Sequence, residues 1–198
     1  MKNKIKKLKL RKIDTIILIV TVLSFILGIL FLAILSESNK ELVATTLNNF
    51  FTGIKTKDFN YNQALFNSLS NNITITSIIW LLGISIIGIP IVILILISKS
   101  FILGFSISSI IYNYGLKGIL IAIIYIIPHV LNLFITIILA YYSMNFSIML
   151  FNLLFRKKEY TKRLIVNRYI KILVVSTIFF IISSILEVFI IPRILVLI

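Results

Sequence analysis

Few residues in this chain could do chemistry, and their spacing forms no catalytic set. The chain has one histidine, His129, no cysteine, and six acidic residues scattered over 198 positions. One histidine cannot build a zinc site without carboxylates nearby, and a nucleophile needs a base within hydrogen-bond reach. The sequence contains neither a Gly-rich phosphate loop nor an HExxH motif. We therefore expect no catalysis, no cofactor and no metal site.

Three residues inside the apolar segments are candidates for function, two that can ionise and one asparagine, because ionisable groups there are costly and raise a functional question by default. They are His129, Asn132 and Glu187, and Asn132 follows His129 by one helical turn. For His129, the alternatives are a functional role and a neutral ring hydrogen-bonded to a carbonyl freed by Pro128. For Glu187, they are a functional role and a structural one, in which the side chain reaches the surface or pairs with a nearby cation.

The composition is that of a membrane protein. Hydrophobic residues make up 60% of the chain, charged residues 13%, and the mean hydropathy is +1.12. A soluble domain carries about 25% charged residues. The net charge of +14 would suggest nucleic-acid binding in a soluble protein. Because the basic residues here flank apolar segments, membrane lipid and topology explain them more simply, and we expect no nucleic-acid role.

Five apolar segments predict an all-α, polytopic membrane protein with five transmembrane helices. They comprise residues 16–35, 73–97, 101–116, 119–140 and 172–191. About 20 residues at 1.5 Å rise cross a hydrocarbon core of about 30 Å, so the third segment is short. The fourth is interrupted at Pro128, and residues 141–155 are expected to run along or out of the inner interface.

The distribution of basic residues predicts a cytoplasmic N-terminus and an extracytoplasmic C-terminus. With five spans, fifteen of the 20 Lys and Arg residues, including Lys99, lie on the cytoplasmic side, as the positive-inside rule requires. A re-entrant third segment would place the basic residues of 156–171 outside. We therefore expect a basic cytoplasmic tail over 1–15 and a single transmembrane domain over 16–198. That domain has an extracytoplasmic segment, 36–72, and a basic cytoplasmic segment, 156–171.

The extracytoplasmic segment is predicted to contain two short amphipathic helices. Ser38 with Glu41, and Asn60 with Gln63, have the spacing of capping boxes. The apolar face of the first helix carries Val43, Leu47, Phe50 and Ile54. This face either lies on the membrane surface or forms a docking face for a partner, and an apolar stripe alone does not separate the two.

Small residues and one proline predict where helices pack closely. The candidates are Gly83, Gly88, Pro90, Ser100, Gly104 and Ser108. The last three recur at four-residue spacing, the small-xxx-small pattern that lets helix backbones approach each other. The first three predict a bent second span with a close neighbour.

Four short motifs occur in a characteristic order along the chain. They are WLLGISIIGIP at 80–90, KSFILGFS at 99–106, GLKG at 115–118, and Pro-His at 128–129. In this order and spacing the chain resembles the stage II sporulation protein M family over nearly its whole length. Broader relatives carry a Gly and a Glu shortly after the Pro-His pair, where this chain has Val130, Leu131 and Asn132. A charge-dependent role at that site is therefore not expected here.

The resemblance implies a multi-pass protein of the bacterial cell membrane, in the mother cell of an endospore-forming bacterium. Its role would be a non-enzymatic scaffold that localises peptidoglycan hydrolases, the stage II sporulation proteins D and P, during septal thinning and engulfment. The alternative is a membrane subunit of a transporter or permease-type complex, since such proteins place polar groups on Pro-broken helices. The sequence leaves homo-oligomerisation open.

Overall fold

The computed structural model of the protein describes residues 2–56, 60–155 and 162–196, with side chains for 13–54, 56, 60–155 and 166–194. Within these ranges the chain is helical and contains no strand, so the all-α prediction is confirmed. The helices are α1 (Lys2–Ile34), α2 (Glu37–Lys55), α3 (Tyr61–Leu82), α4 (Gly88–Phe155), α5 (Lys162–Ile185), a π-helix (Leu186–Ile190) and α6 (Ile191–Val196). Residues 156–161 of the predicted basic cytoplasmic segment lie outside the described residues.

By length and composition, three described helices could cross a membrane. They cover Ile13–Ile34, Gly88–Phe155 and Val166–Ile194. The packed interior of the bundle is an apolar cluster, and its buried members come from α1, α3 and both halves of α4. Its buried members are Ile17, Ile79, Val92, Leu96, Leu139, Ala140 and Met144. Many of the remaining large apolar side chains on these helices are exposed, as expected for surfaces that face lipid.

Helix α4 consists of two arms because the chain reverses at Gly115. This glycine has φ 56° and ψ −132°, a conformation that residues with a Cβ rarely adopt. The arms, 88–114 and 116–155, approach closely beside the reversal, where a Cβ at Gly118 would lie 2.6 Å from the Ile110 carbonyl oxygen. The predicted start of the third span at residue 101 is therefore wrong. That segment belongs to a longer helix, so it needs no thinned bilayer.

A tight turn separates α3 from α4, and the prediction of one continuous span over 73–97 is wrong. Helix α3 ends at Leu82 and α4 begins at Gly88. A Cβ on Gly88 would overlap the Leu82 carbonyl oxygen, so the turn closes only with glycine at that position. Pro90 lies in the first turn of α4, where the absent N–H is not needed by the helix. Gly83, Gly88 and Pro90 thus build a hairpin rather than a bend.

The helices of the bundle run alternately up and down. We call the end that carries the turn at 83–87 the hairpin end, and the end that carries α2 the α2 end. Helix α1 lies parallel to the first arm of α4, because Gly28 approaches Phe101 and Phe31 packs on Phe105. Helix α3 runs parallel to the second arm of α4. Helix α5 runs against α3, with Tyr169 bonded near the hairpin end and Phe189 stacked on Tyr61 near the α2 end.

Helix α2 lies at one end of the bundle and contacts the reversal of α4. The Tyr114 hydroxyl donates to Asn48 Oδ1 at 2.7 Å, and the Phe51 and Tyr114 rings pack edge-on with centroids 5.3 Å apart. The helix begins at Glu37 after Ser36, so the predicted cap at Ser38 is wrong. The second predicted cap is confirmed, since the Asn60 side chain accepts from the Gln63 N–H. It opens α3 itself rather than a separate short helix.

Candidate functional site

A continuous chain of polar side chains crosses the interior of the bundle from Lys99 to Glu187. The Lys99 ammonium donates to Asn132 Oδ1 at 2.6 Å, and the Asn132 amide donates to Asn72 Oδ1 at 2.7 Å. The Asn72 amide donates to Ser184 Oγ at 2.9 Å. Ser68 Oγ lies 3.0 Å from Ser184 Oγ and 2.8 Å from Glu187 Oε2. The chain ties α3, both arms of α4, α5 and the π-helix together.

The hydrogen bonds of this polar chain all point in one direction, from Lys99 toward Glu187. A serine hydroxyl carries a single proton, so Ser68 donates to only one of its two neighbours. The Glu187 carboxylate can only accept, which makes it the acceptor of the Ser68 proton. Ser184, which accepts from Asn72, is then the donor to Ser68. Every link therefore donates toward Glu187, and a cationic donor lies at one end with an anionic acceptor at the other.

Lys99 lies within the first arm of α4, and its side chain faces the second arm of α4 and α5. Beyond Asn132, its ammonium is 3.4 Å from Thr136 Oγ1 and 5.2 Å from the centroid of the Phe180 ring. Two of its three N–H donors are thus used on Asn132 and Thr136, and its charge faces the Phe180 ring. The placement of Lys99 on the cytoplasmic flank of a span is therefore wrong, because residues 88–114 form one helix that contains it near the middle.

Glu187 lies in the π-helix, where α5 loses its regular register. Short π-helical segments occur frequently at functional sites. Its carboxylate accepts from Ser68 of α3. The neighbouring Ser183 hydroxyl donates to the Pro128 carbonyl at 2.9 Å, which fixes α5 against the second arm of α4 where the proline interrupts the helix ladder.

Of the predicted intramembrane polar residues, Asn132 and Glu187 are links of the chain and His129 is not. The His129 ring contacts the Tyr125 ring edge-on, with centroids 4.0 Å apart. Three further links, Asn72, Ser68 and Ser184, were not predicted from the sequence. Ser68 and Asn72 are polar residues at four-residue spacing in α3, but they lie in the predicted extracytoplasmic segment, and Ser184 is one serine within the apolar α5.

Among the predicted packing residues, Gly104 lies at a close contact between two helices. A Cβ on Gly104 would overlap the Phe25 carbonyl oxygen of α1, and one on Gly28 would overlap the Phe101 carbonyl oxygen of α4. Gly28 was not singled out from the sequence. The Ser100 and Ser108 hydroxyls donate to carbonyls of their own helix, those of Leu96 and Phe105.

Gly83 lies where three helices meet at the hairpin end. A Cβ at this position would overlap the Tyr169 hydroxyl and Ser143 Oγ. The Tyr169 hydroxyl donates to the Trp80 carbonyl at 2.6 Å, and Ser143 donates to the Ile79 carbonyl at 2.7 Å. These two carbonyls near the end of α3 also accept from the Gly83 N–H, and the hydroxyls of Tyr169 and Ser143 add a second hydrogen bond to each from α5 and α4.

The predicted docking face of α2 is only partly open. Val43 and Leu47 are half-buried, Ile54 is buried with 4% exposure, and Phe50 is 46% exposed. Leu42, outside the predicted face, is 66% exposed.

The first turn of α2 is charged. Lys40 donates to Glu37 at 2.8 Å, and this hydrogen bond raises the pKa of the Lys40 ammonium above its ordinary value. Lys40 also lies over the Tyr112 ring of α4, with its nitrogen 5.7 Å from the ring centroid. Helix α2 thus carries a charged first turn, the exposed Leu42 next to it, and the exposed Phe50 about two turns further along.

Similarity to a known protein family covers most of the chain. The family model described as Stage II sporulation protein M matches residues 17–192. The matched range runs from α1 to α6 and includes the whole polar chain from Lys99 to Glu187. No curated protein and no solved structure matches.

Proposed function

Because the chain belongs to the stage II sporulation protein M family, we propose that it is a non-enzymatic membrane scaffold for endospore formation. Family membership and the apolar helices make it a sporulation-related membrane protein. Its specific task is to localise peptidoglycan hydrolases similar to stage II sporulation proteins D and P. It does so in the mother-cell membrane, for septal thinning and engulfment of the forespore.

The scaffold crosses the membrane five times, with its N-terminus in the cytoplasm and its C-terminus outside. The alternating directions of α1, α3, the two arms of α4 and α5 support this arrangement. Apart from Lys99, fourteen basic residues lie in the sequence segments 1–12 and 156–171, which adjoin the apolar parts of the helices at the hairpin end. Five lie in the sequence segments that adjoin the α2 end. That asymmetry makes the hairpin end cytoplasmic by the positive-inside rule.

Reporter fusions test this topology. Fusions at Lys12 and Arg163 are expected to report a cytoplasmic location, and a fusion at Ile198 an extracytoplasmic one. The reason is that translocating the basic residues of 156–171 would oppose the charge bias that orients the helices. An extracytoplasmic signal at Arg163 would contradict the five-span arrangement.

The observation that carries the scaffold proposal is the α2 surface. In this topology α2 lies on the extracytoplasmic side, where cell-wall hydrolases work. It is held to α4 by Tyr114 and Lys40, so its backbone has a defined position. Leu42 and Phe50 project from it with large exposed fractions. Exposed apolar anchors on a fixed helix fit the docking of a partner.

The polar chain also supports a role without chemistry. Its side chains donate hydrogen bonds to neighbouring protein side chains: Lys99 to Asn132 and Thr136, Asn132 to Asn72, and Ser68 to Glu187. A transport or catalytic site instead needs polar groups that are available to a substrate. We therefore expect the chain to recruit an enzyme rather than act as one.

The proposal is tested by following the hydrolases in sporulating cells. Fluorescent fusions of the D- and P-like hydrolases are expected to gather at the septum when the chain is present. In cells that lack this protein, the hydrolase fusions should spread along the envelope. Normal hydrolase position in cells that lack the chain would refute the scaffold role.

The second candidate is a membrane subunit of a transporter or permease-type complex. The observation in its favour is the position of Lys99 and Asn132, because transporters keep polar groups at the midplane on interrupted helices. In that case the partner that binds the chain would be an ATPase rather than a hydrolase. Identification of the bound partner separates the two candidates.

A further inference from the structure

Two side chains of opposite charge, Lys99 and Glu187, lie in the bundle without touching each other. Lys99 belongs to the first arm of α4, and Glu187 to the π-helix that follows α5. Four neutral side chains join them in one hydrogen-bonded series: Asn132, Asn72, Ser184 and Ser68. A charge in a low-dielectric interior is costly unless it is paired or hydrogen-bonded. Each end of this series is therefore stabilised by a hydrogen bond to the series itself.

The series can compensate charge but is poorly suited to move protons. Each hydroxyl in it accepts one hydrogen bond and donates one, so its dipole points the same way as its neighbours'. The two Asn links cannot pass a proton on, because an amide carries fixed donors on nitrogen and a fixed acceptor on oxygen. The series is therefore static, and the hydroxyl proton of Ser68, the positive end of its dipole, faces the Glu187 carboxylate.

We propose that Lys99 and Glu187 form a relayed ion pair that clamps the start of the π-helix to α3 and α4. The four linking side chains transmit the compensation, so that loss of one charge leaves the other hydrogen-bonded to the series but without an opposite charge to balance it. The clamp positions the π-helix and α6, and α6 in turn touches α2. This inference concerns the position of these helices, and it holds whether or not α2 binds a hydrolase.

The clamp is tested with one thiol on α6. The chain has no cysteine, so Arg193→Cys, at an exposed position, gives a single thiol in the full chain in native membranes. Its labelling rate by a water-soluble maleimide reports whether α6 keeps its position. Lys99→Met or Glu187→Gln alone should each raise that rate about tenfold, within the coupling range of groups that share a network. The double variant should return to within about threefold of the parent, because neither end then carries an uncompensated charge.

Two further comparisons make the relay specific. Lys40→Met combined with Glu187→Gln is the matched control, because Lys40 is a cation outside the series. The effects of these two substitutions on the labelling rate should be additive. In a Ser68→Ala background the series is cut, and the rescue between Lys99→Met and Glu187→Gln should disappear. Rescue that survives without Ser68 would overturn the relay and indicate direct attraction through space.

The same single and double variants are compared if a single variant fails to fold. Its accumulation in the membrane then replaces the labelling rate as the measured quantity. Accumulation of the double variant above that of the worse single variant is the expected result. A double variant that accumulates no better than the worse single variant would overturn the proposal.

Discussion

Replacing Gly104 by isoleucine is expected to remove most of the protein from the membrane. The backbones of α1 and α4 approach so closely here that even a Cβ would overlap the Phe25 carbonyl oxygen. A branched side chain must therefore push α1 away and forfeit contacts along the whole seam. Overpacking of this kind costs about 1–3 kcal/mol or more, out of a total stability of about 5–15 kcal/mol.

The measurement for Gly104→Ile is the amount of folded chain in isolated membranes, together with its resistance to heating in mild detergent. Ile102→Leu is the matched control, because Ile102 is 59% exposed on the same helix two residues away. Gly28→Ile should reproduce the loss from the facing helix. If Gly104→Ile and Ile102→Leu accumulate equally, the seam does not require a glycine.

Replacing Leu42 and Phe50 together by serine should weaken hydrolase binding by about a hundredfold. If both side chains are anchors, their removal costs about 2–4 kcal/mol of burial, and each 1.4 kcal/mol is a tenfold change in affinity. The quantity to measure is the dissociation constant between the purified chain and the extracytoplasmic domain of a hydrolase.

The controls separate binding from folding. Asn49→Ser changes an exposed polar residue on the same helix and should leave the dissociation constant unchanged. Ile54→Ser is a different kind of variant, because Ile54 is 4% exposed and its loss should lower stability instead. Unchanged affinity in the Leu42 and Phe50 variant would mean that the hydrolase does not bind this part of α2.

The helical class follows from the sequence because long apolar runs must satisfy their own backbone hydrogen bonds in lipid. The limits of the individual helices do not follow as directly. The turn at 83–87 consists largely of isoleucine and glycine, so a hydropathy average passes over it and merges α3 with the start of α4. The Gly-x-x-x-x-Gly-x-Pro pattern was visible, but the same residues are compatible with a kinked helix.

The polar chain was beyond sequence reasoning for a different reason. Its direct contacts join residues 33 to 119 positions apart, such as Lys99 with Asn132 and Ser68 with Glu187. Asn132 and Glu187 stood out because they interrupt apolar runs. Asn72 and Ser68 did not, because they lie in the polar start of α3. Because the sequence predicts Lys99 at the end of a span, nothing in it indicates that Lys99 lies opposite Asn132.

Co-purification of the full chain from sporulating cells tests the scaffold role most directly. The account predicts that peptidoglycan hydrolases similar to stage II sporulation proteins D and P are recovered with the parent chain. They should be lost from the variant with serine at both Leu42 and Phe50 when the two chains are present at equal levels. Recovery of an ATPase with the parent chain, and of no hydrolase, would contradict the scaffold and favour a transporter subunit.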